Sequence, residues 1–113
     1  MAYTGWGTAL LELGQVNDAI NKLKYAIQLN PGSDDPYYRL AKAYNSAGNY
    51  AAALTAAEKA IQIKRQNAAA YIEKGNALEG MGKKAEAKEA FLLAAQKDKR
   101  WNDWVNHHID QMK

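Results

Sequence analysis

The sequence predicts an all-α fold, a stack of repeated helix pairs with about seven helices in all. Three observations carry that prediction. Alanine, leucine, lysine, glutamate and glutamine dominate the 113 residues, while valine and threonine are sparse and prolines number 2, a balance that favours helix over sheet. The chain matches itself at a shift of 34 residues, the spacing of Tyr3, Tyr37 and Tyr71, and repeats of this period mean stacked supersecondary units. Within a unit, apolar residues recur at i, i+3, i+4 and i+7, the stripe of an amphipathic helix.

The first unit spans about 1–33. "MAYTG" supplies no N-cap, and the chain enters almost directly on an apolar position. The expectation is a frayed first turn or a chain cut from a longer repeat protein, with Tyr3 and Trp6 partly exposed. The turn "NPGSDDP" (30–36) closes the unit, because proline, glycine and aspartate break helices. The second unit, about 34–67, opens with Asp34 or Asp35 as cap and Pro36 in the first turn, where a missing N–H costs nothing. Tyr37, Leu40, Ala41 and Tyr44 form its inward stripe, and Gly48 ends the helix by reaching the left-handed conformation cheaply. A second helix follows from about Ala51 to Ile63, with Ala53, Ala57, Ala60 and Ile61 inward. The third unit, about 68–100, repeats the plan, and a capping helix, about 101–112, ends the single domain. That last helix puts Trp101, Trp104, Val105, His108, Ile109 and Met112 on one face.

Small residues recur for a packing reason. Gly7, Ala41 and Gly75 let the second helix of each unit lie close to the first, and Ala19, Ala53 and Ala87 make the reciprocal surface. Gly14, Gly48 and Gly82 fall in one column, as do Ala26, Ala60 and Ala94. Leu10, Tyr44 and Leu78 fill the space between neighbouring units, and Leu23, Ala57 and Phe91 form a softer column.

These columns resemble the tetratricopeptide repeat, whose pattern is a large aromatic, Leu-Gly, Tyr, and later Ala, Phe, Ala and Pro. Tyr3, Trp6-Gly7, Leu10, Ala19, Leu23, Ala26 and Pro31 match in the first unit. Tyr37, Leu40-Ala41, Tyr44, Ala53, Ala57 and Ala60 match in the second, with Arg65 in place of the proline. Tyr71, Gly75, Leu78, Ala87, Phe91 and Ala94 match in the third, where Lys74 and Lys99 depart. The resemblance covers about residues 2–100. It implies an α-solenoid, a right-handed superhelix of antiparallel helix pairs, whose concave groove binds peptide segments of other proteins.

The resemblance further implies that the first helix of each unit lines that groove. Subtracting the core stripe leaves Thr4, Thr8 and Leu11 in the first unit, with Glu12 at the edge. It leaves Tyr38, Lys42 and Asn45 beside Arg39 in the second, and Ile72, Asn76 and Glu79 beside Glu73 in the third. Tyr38 would supply apolar contact and a hydroxyl, while Arg39 and Lys42 would meet an acidic group. The double substitution Arg39→Glu, Lys42→Glu is therefore expected to weaken partner binding and leave melting intact. Family members that grip a C-terminal carboxylate use lysines, asparagines and an arginine at positions held here by Thr4, Thr8, Ala69 and Glu73, so that particular clamp is not expected.

No catalytic constellation is legible, and neither an enzyme nor a cofactor is expected. Cysteine is absent, which removes thiol nucleophiles, disulfides and cysteine metal sites. His107 and His108 point about 100° apart on a helix, too far to share an ion, and His108 is better placed to pack on the third unit. No phosphate loop or Ser-His-acid pattern occurs. The basic groups Lys64-Arg65, Lys83-Lys84 and Lys97-Lys99-Arg100 fall at helix ends or turns, where cations favour the helix dipole. The net charge of +3 is mild, and no basic stripe interleaves with aromatics, which leaves nucleic-acid binding a remote alternative. No stretch approaches the about 18 apolar residues of a membrane span, and no signal peptide is read at the start, so the cytoplasm is the default location. The leading expectation is an adaptor or scaffold that binds a partner protein. The alternative is a structural module that self-assembles into homo-oligomers through its repeat ends.

Overall fold

A computed structural model describes residues 2–112 of the chain; the side chain of Tyr3, first member of the leading aromatic column, lies outside the described residues. Among the described residues, seven α-helices follow one another: α1 (Ala2–Glu12), α2 (Val16–Leu29), α3 (Asp34–Ser46), α4 (Tyr50–Ile63), α5 (Ala68–Gly80), α6 (Lys84–Lys97) and α7 (Asn102–Gln111). A 3₁₀ turn, Lys99–Trp101, joins α6 to α7. No strand occurs among the described residues.

Each helix packs on the next in the chain, and α1, α3 and α5 also touch in succession. The first helices of the pairs therefore lie side by side and form one continuous face. The stack measures 39 × 25 × 21 Å.

The turn inside each pair is the same three times. Gly14, Gly48 and Gly82 have φ of +81°, +79° and +82°, the left-handed region that a side chain resists. The next residue's N–H reaches back to the carbonyl of Leu10, Tyr44 or Leu78 at 2.8–2.9 Å. The glycine column is thus a helix-ending device repeated at one register.

Helix starts differ from the expectation in one respect. Asp34 and Asp35 do not cap α3. They sit inside its first turn, after Ser33, whose side chain makes no capping bond. Their carboxylates are taken by side-chain donors: Asp34 Oδ2 accepts from Asn67 Nδ2 at 2.7 Å, and Asp35 Oδ2 from the charged Arg39 Nε at 3.0 Å. Both still lie where negative charge suits the helix dipole. Asn49 and Asn67 cap α4 and α5, accepting from the N–H of Ala52 and Ala70.

The small column is filled by the large one. A Cβ at Gly7 would stand 2.7 Å from Leu23 Cγ, and one at Gly75 only 2.5 Å from the Phe91 ring. In the middle pair Ala41 and Ala57, both fully buried, take these roles. Volume is traded across the contact, Gly with Leu, Ala with Ala, and Gly with Phe, as close packing demands. Ala53 and Ala60 are buried too, while Ile61 is only partly so.

The last helix covers Phe91. Val105 is fully buried and Met112 nearly so, with Trp101 and Ile109 packed on the same cluster. His108 stacks on Trp104 with ring centroids 4.6 Å apart and meets Phe91 edge-on at 4.9 Å. Trp104 keeps 40% of its surface exposed, so the expected apolar face is not buried uniformly. Trp6 is 50% exposed, with Lys22 Nζ 4.1 Å from its ring centroid.

Candidate functional site

Three depressions run along α1, α3 and α5. The first, about 400 Å³, is lined by Thr4, Thr8 and Glu12 of α1 with Asp35 and Arg39 of α3. The second, about 200 Å³, shares Thr8, Glu12 and Arg39 with it and adds Leu11, Tyr38 and Lys42. The third, about 500 Å³, shares Lys42 and continues to Asn45, Tyr50, Glu73, Asn76, Glu79 and Gly80. Shared walls make the three one trough. A separate cleft of about 570 Å³ lies between α3 and α4, against Tyr37, Leu40, Tyr44 and Ala56, and shares no residue with the trough.

Of the residues expected along the groove, all but Ile72 line this trough. Ile72 does not: it is 4% exposed and belongs to the core cluster that holds Val105 and Met112. An aliphatic side chain has no polar tip to hold in the trough, and Ile72 packs instead into that cluster, against which Leu54 and Ile61 of α4 also lie. Tyr50, which opens α4, is a wall of the third cleft. Gly80 is the other half of that wall, since a Cβ there would stand 2.6 Å from the Tyr50 ring. Neither residue stands in a matched column of the repeat, so sequence periodicity gave no sign of them.

Several groups already have partners within the chain. Arg39 Nη1 donates to Thr8 Oγ1 at 2.9 Å and Arg39 Nε to Asp35, and its guanidinium lies 5.1 Å from the Tyr38 ring centroid. The Thr8 hydroxyl in turn donates to the Thr4 carbonyl at 2.9 Å. Arg39 therefore ties α3 to α1, and a reversed charge there would oppose Asp35 and break the tie. The expectation that Arg39→Glu leaves stability intact is corrected on this ground; Lys42, exposed on the same helix, is the cleaner site for charge reversal.

The third cleft is built around Glu73, which is 8% exposed. Asn45 Nδ2 donates to its Oε1 and to its backbone carbonyl, both at 3.0 Å, and Asn76 Nδ2 stands 3.4 Å from Oε1. Burial pushes the Glu73 carboxyl above its ordinary value of 4.5, against the pull of Asn45, Asn76 and the Lys42 charge. The Tyr38 phenol is likewise raised, first by burial, with Arg39 opposing and Asp35, Glu73 and Asp34 reinforcing. It remains a neutral hydroxyl donor at physiological pH. Glu79 Oε1 lies 2.8 Å from His108 Nε2, which links the end of the trough to α7.

The Glu73 shift has a thermodynamic sign. The folded chain holds the Glu73 proton more tightly than the unfolded chain, so the stability from this group is fully present below 4.5 and is lost as pH rises through the elevated folded value. Glu73→Gln keeps a side-chain acceptor for Asn45 and removes the buried charge. Its melting temperature relative to the parent is expected to rise as pH goes from below 4.5 to neutrality. Thermal melts of both chains across that range check this, and a pH-independent difference overturns it.

Among the described residues, no group of three or more His, Cys, Asp or Glu side chains converges as a metal site. No helix among them is long and apolar enough to cross a membrane. At the C-terminal end of α6, Arg100 pairs with Asp98 at 2.7 Å, which accounts for one of the basic groups.

Comparison with known proteins follows the same architecture. Two family models, both described as tetratricopeptide repeat, match residues 10–56 and 68–96. The human protein "DnaJ homolog subfamily C member 3" is 35% identical over 85 residues, which is 75% of this chain. The chain matches 17% of that relative's length. The TPR domain of Arabidopsis OM64 superposes with a TM-score of 0.90 at 24% identity, covering 99% of this chain and 94% of the other. The second TPR of Spaghetti (RPAP3), bound to the HSP90 peptide SRMEEVD, superposes at 0.82 with 22% identity over 86% of this chain and 90% of its own. At these identities the structural likenesses show the fold.

Proposed function

We propose a function from one premise: the chain belongs to the tetratricopeptide repeat family. It is a non-catalytic adaptor or scaffold that binds a peptide segment of a partner protein in the trough along α1, α3 and α5. The observation that carries this reading is the trough's continuity. Three clefts joined by shared walls suit an extended chain better than a compact small molecule. Tyr38, Lys42, Asn45 and Asn76 line it without filling the hydrophobic core. The peptide-bound neighbour supports the reading by fold. The repeat division at about 1–33, 34–67 and 68–100, with a cap at about 101–112, belongs to the same proposal.

Tyr38 offers a half-buried ring and a hydroxyl, and Lys42 an exposed cation for a carbonyl or carboxylate of the segment. A random peptide library displayed on phage tests this. Enriched peptides should shift the backbone amide signals of Thr8, Tyr38, Lys42, Asn45 and Asn76. Tyr38→Ala should weaken them by about tenfold or more, on the order of 1–2 kcal/mol, in a chain that still melts cooperatively. A footprint confined to α2, α4 and α6 would sink the trough reading.

Self-assembly through the repeat ends is a second reading, favoured by the exposure of Trp6 and of Leu13, 72% open at the end of α1. Light scattering that returns the mass of one chain at every concentration removes it.

A further inference from the structure

We propose that the third cleft takes a cationic side chain, an arginine or lysine of the bound segment. This rests on the reading of the trough as a peptide site. The cleft's carboxylates are Glu73 and Glu79, set against one ammonium, Lys42. His108 meets Glu79 from α7 at 2.8 Å, and along the cleft's own lining the carboxylates outnumber the ammonium two to one.

Hydrogen-bond accounting points the same way. A carboxylate offers about four lone-pair sites and no donor once ionised. Glu73 Oε1 takes the amides of Asn45 and Asn76. Asn45 Oδ1, itself enclosed, has no donor at all. A buried acceptor left without a partner is destabilising, so this wall favours a ligand that brings donors. A guanidinium brings five N–H groups in a planar fork and no acceptor, and an ammonium brings three.

The aromatic wall fits the same ligand. Gly80 lets the Tyr50 ring lie against the backbone of α5, where a Cβ would stand 2.6 Å from it. The ring therefore sits beside the two carboxylates within one cleft of about 500 Å³. An aromatic ring next to carboxylates is a setting that favours Arg or Lys through both charge and the ring quadrupole. Glu73 is desolvated at 8% exposure, and its charge gains most from a cation that arrives without its own water.

Amide chemical shifts of the full chain, titrated with the acetylated and amidated pentapeptides GSRSG, GSQSG and GSESG, test the proposal. GSRSG should give saturable shifts at Asn76, Glu79 and Gly80 with a dissociation constant of roughly 1 mM. It should bind about tenfold tighter than GSQSG, and GSESG should give no saturable shift. Glu73→Gln and Glu79→Gln, each checked by melting, should weaken GSRSG by about tenfold, and Lys42→Ala should tighten it. Equal response to the three peptides, a preference for GSESG, no saturable response to GSRSG, or indifference to both Gln variants overturns the proposal. The phage experiment judges the trough whatever the charge of the peptides. A footprint on α1, α3 and α5 without an arginine preference therefore rejects the cation site alone, and a footprint confined to the second helices rejects the trough.

Discussion

Phe91→Ala is expected to lower unfolding stability by about 3–5 kcal/mol, the range for deleting a large buried ring. Phe91 heads the fully buried side chains by volume, and its ring lies directly over Gly75. The glycine cannot close the void, because it has no side chain to move into it. The loss also reaches α7. Phe91 meets Trp104 edge-on at 5.6 Å and His108 at 4.9 Å, so the aromatic surface on which the last helix rests disappears. Urea denaturation followed by circular dichroism gives the loss, and tryptophan fluorescence should report loosening of Trp104 at lower denaturant than the global transition. A loss under about 1 kcal/mol would mean that the third pair collapses around the vacancy, contrary to this packing.

Gly75→Ala should also destabilise, by about 1–3 kcal/mol, although alanine is the better helix former. Two effects compete. Helix propensity favours alanine by about 1 kcal/mol. The new Cβ would stand 2.5–2.8 Å from three ring atoms of Phe91, which is enclosed on every side and has nowhere to go. The steric term wins. The double variant Gly75→Ala, Phe91→Ala makes the decisive comparison, since it recreates the Ala41–Ala57 pair of the middle unit. Its loss should fall short of the sum of the single losses by 1 kcal/mol or more, roughly, because the added methyl occupies part of the space the ring vacates. Additivity within about 0.5 kcal/mol would show that the two positions are not coupled.

Both results depend on a contact that the sequence already announces. Small residues at 7, 41 and 75 and larger ones at 23 and 91 recur at fixed spacing because helices can approach closely only where side chains are small. The glycines at 14, 48 and 82 recur because each pair must reverse direction in few residues, and only glycine enters the left-handed region without strain. Helix number, order and turn positions were legible for this reason. Misreadings came where a side chain had a choice of partner. Asp34 and Asp35 looked like caps because local sequence favours that role, but they lie inside the first turn and their carboxylates accept from Asn67 and Arg39. Ile72 looked like a groove position because its register matches Tyr38, but an aliphatic side chain has no polar tip to keep in the trough and it packs into the core cluster.

The sequence by itself determined the repeat: which residues are small, which are large, where helices stop, and which face of each first helix is left over from the core. Only the tertiary structure decided the state of that leftover face. Arg39 bonds Thr8 across 31 positions, Asn45 bonds Glu73 across 28, and Glu79 meets His108 across 29. Periodicity cannot show such pairs, because they join different helices and use residues that no column repeats. Stacking brings them within reach, and local competition between donors and acceptors then sets which charges are spent inside the chain and which remain for a partner.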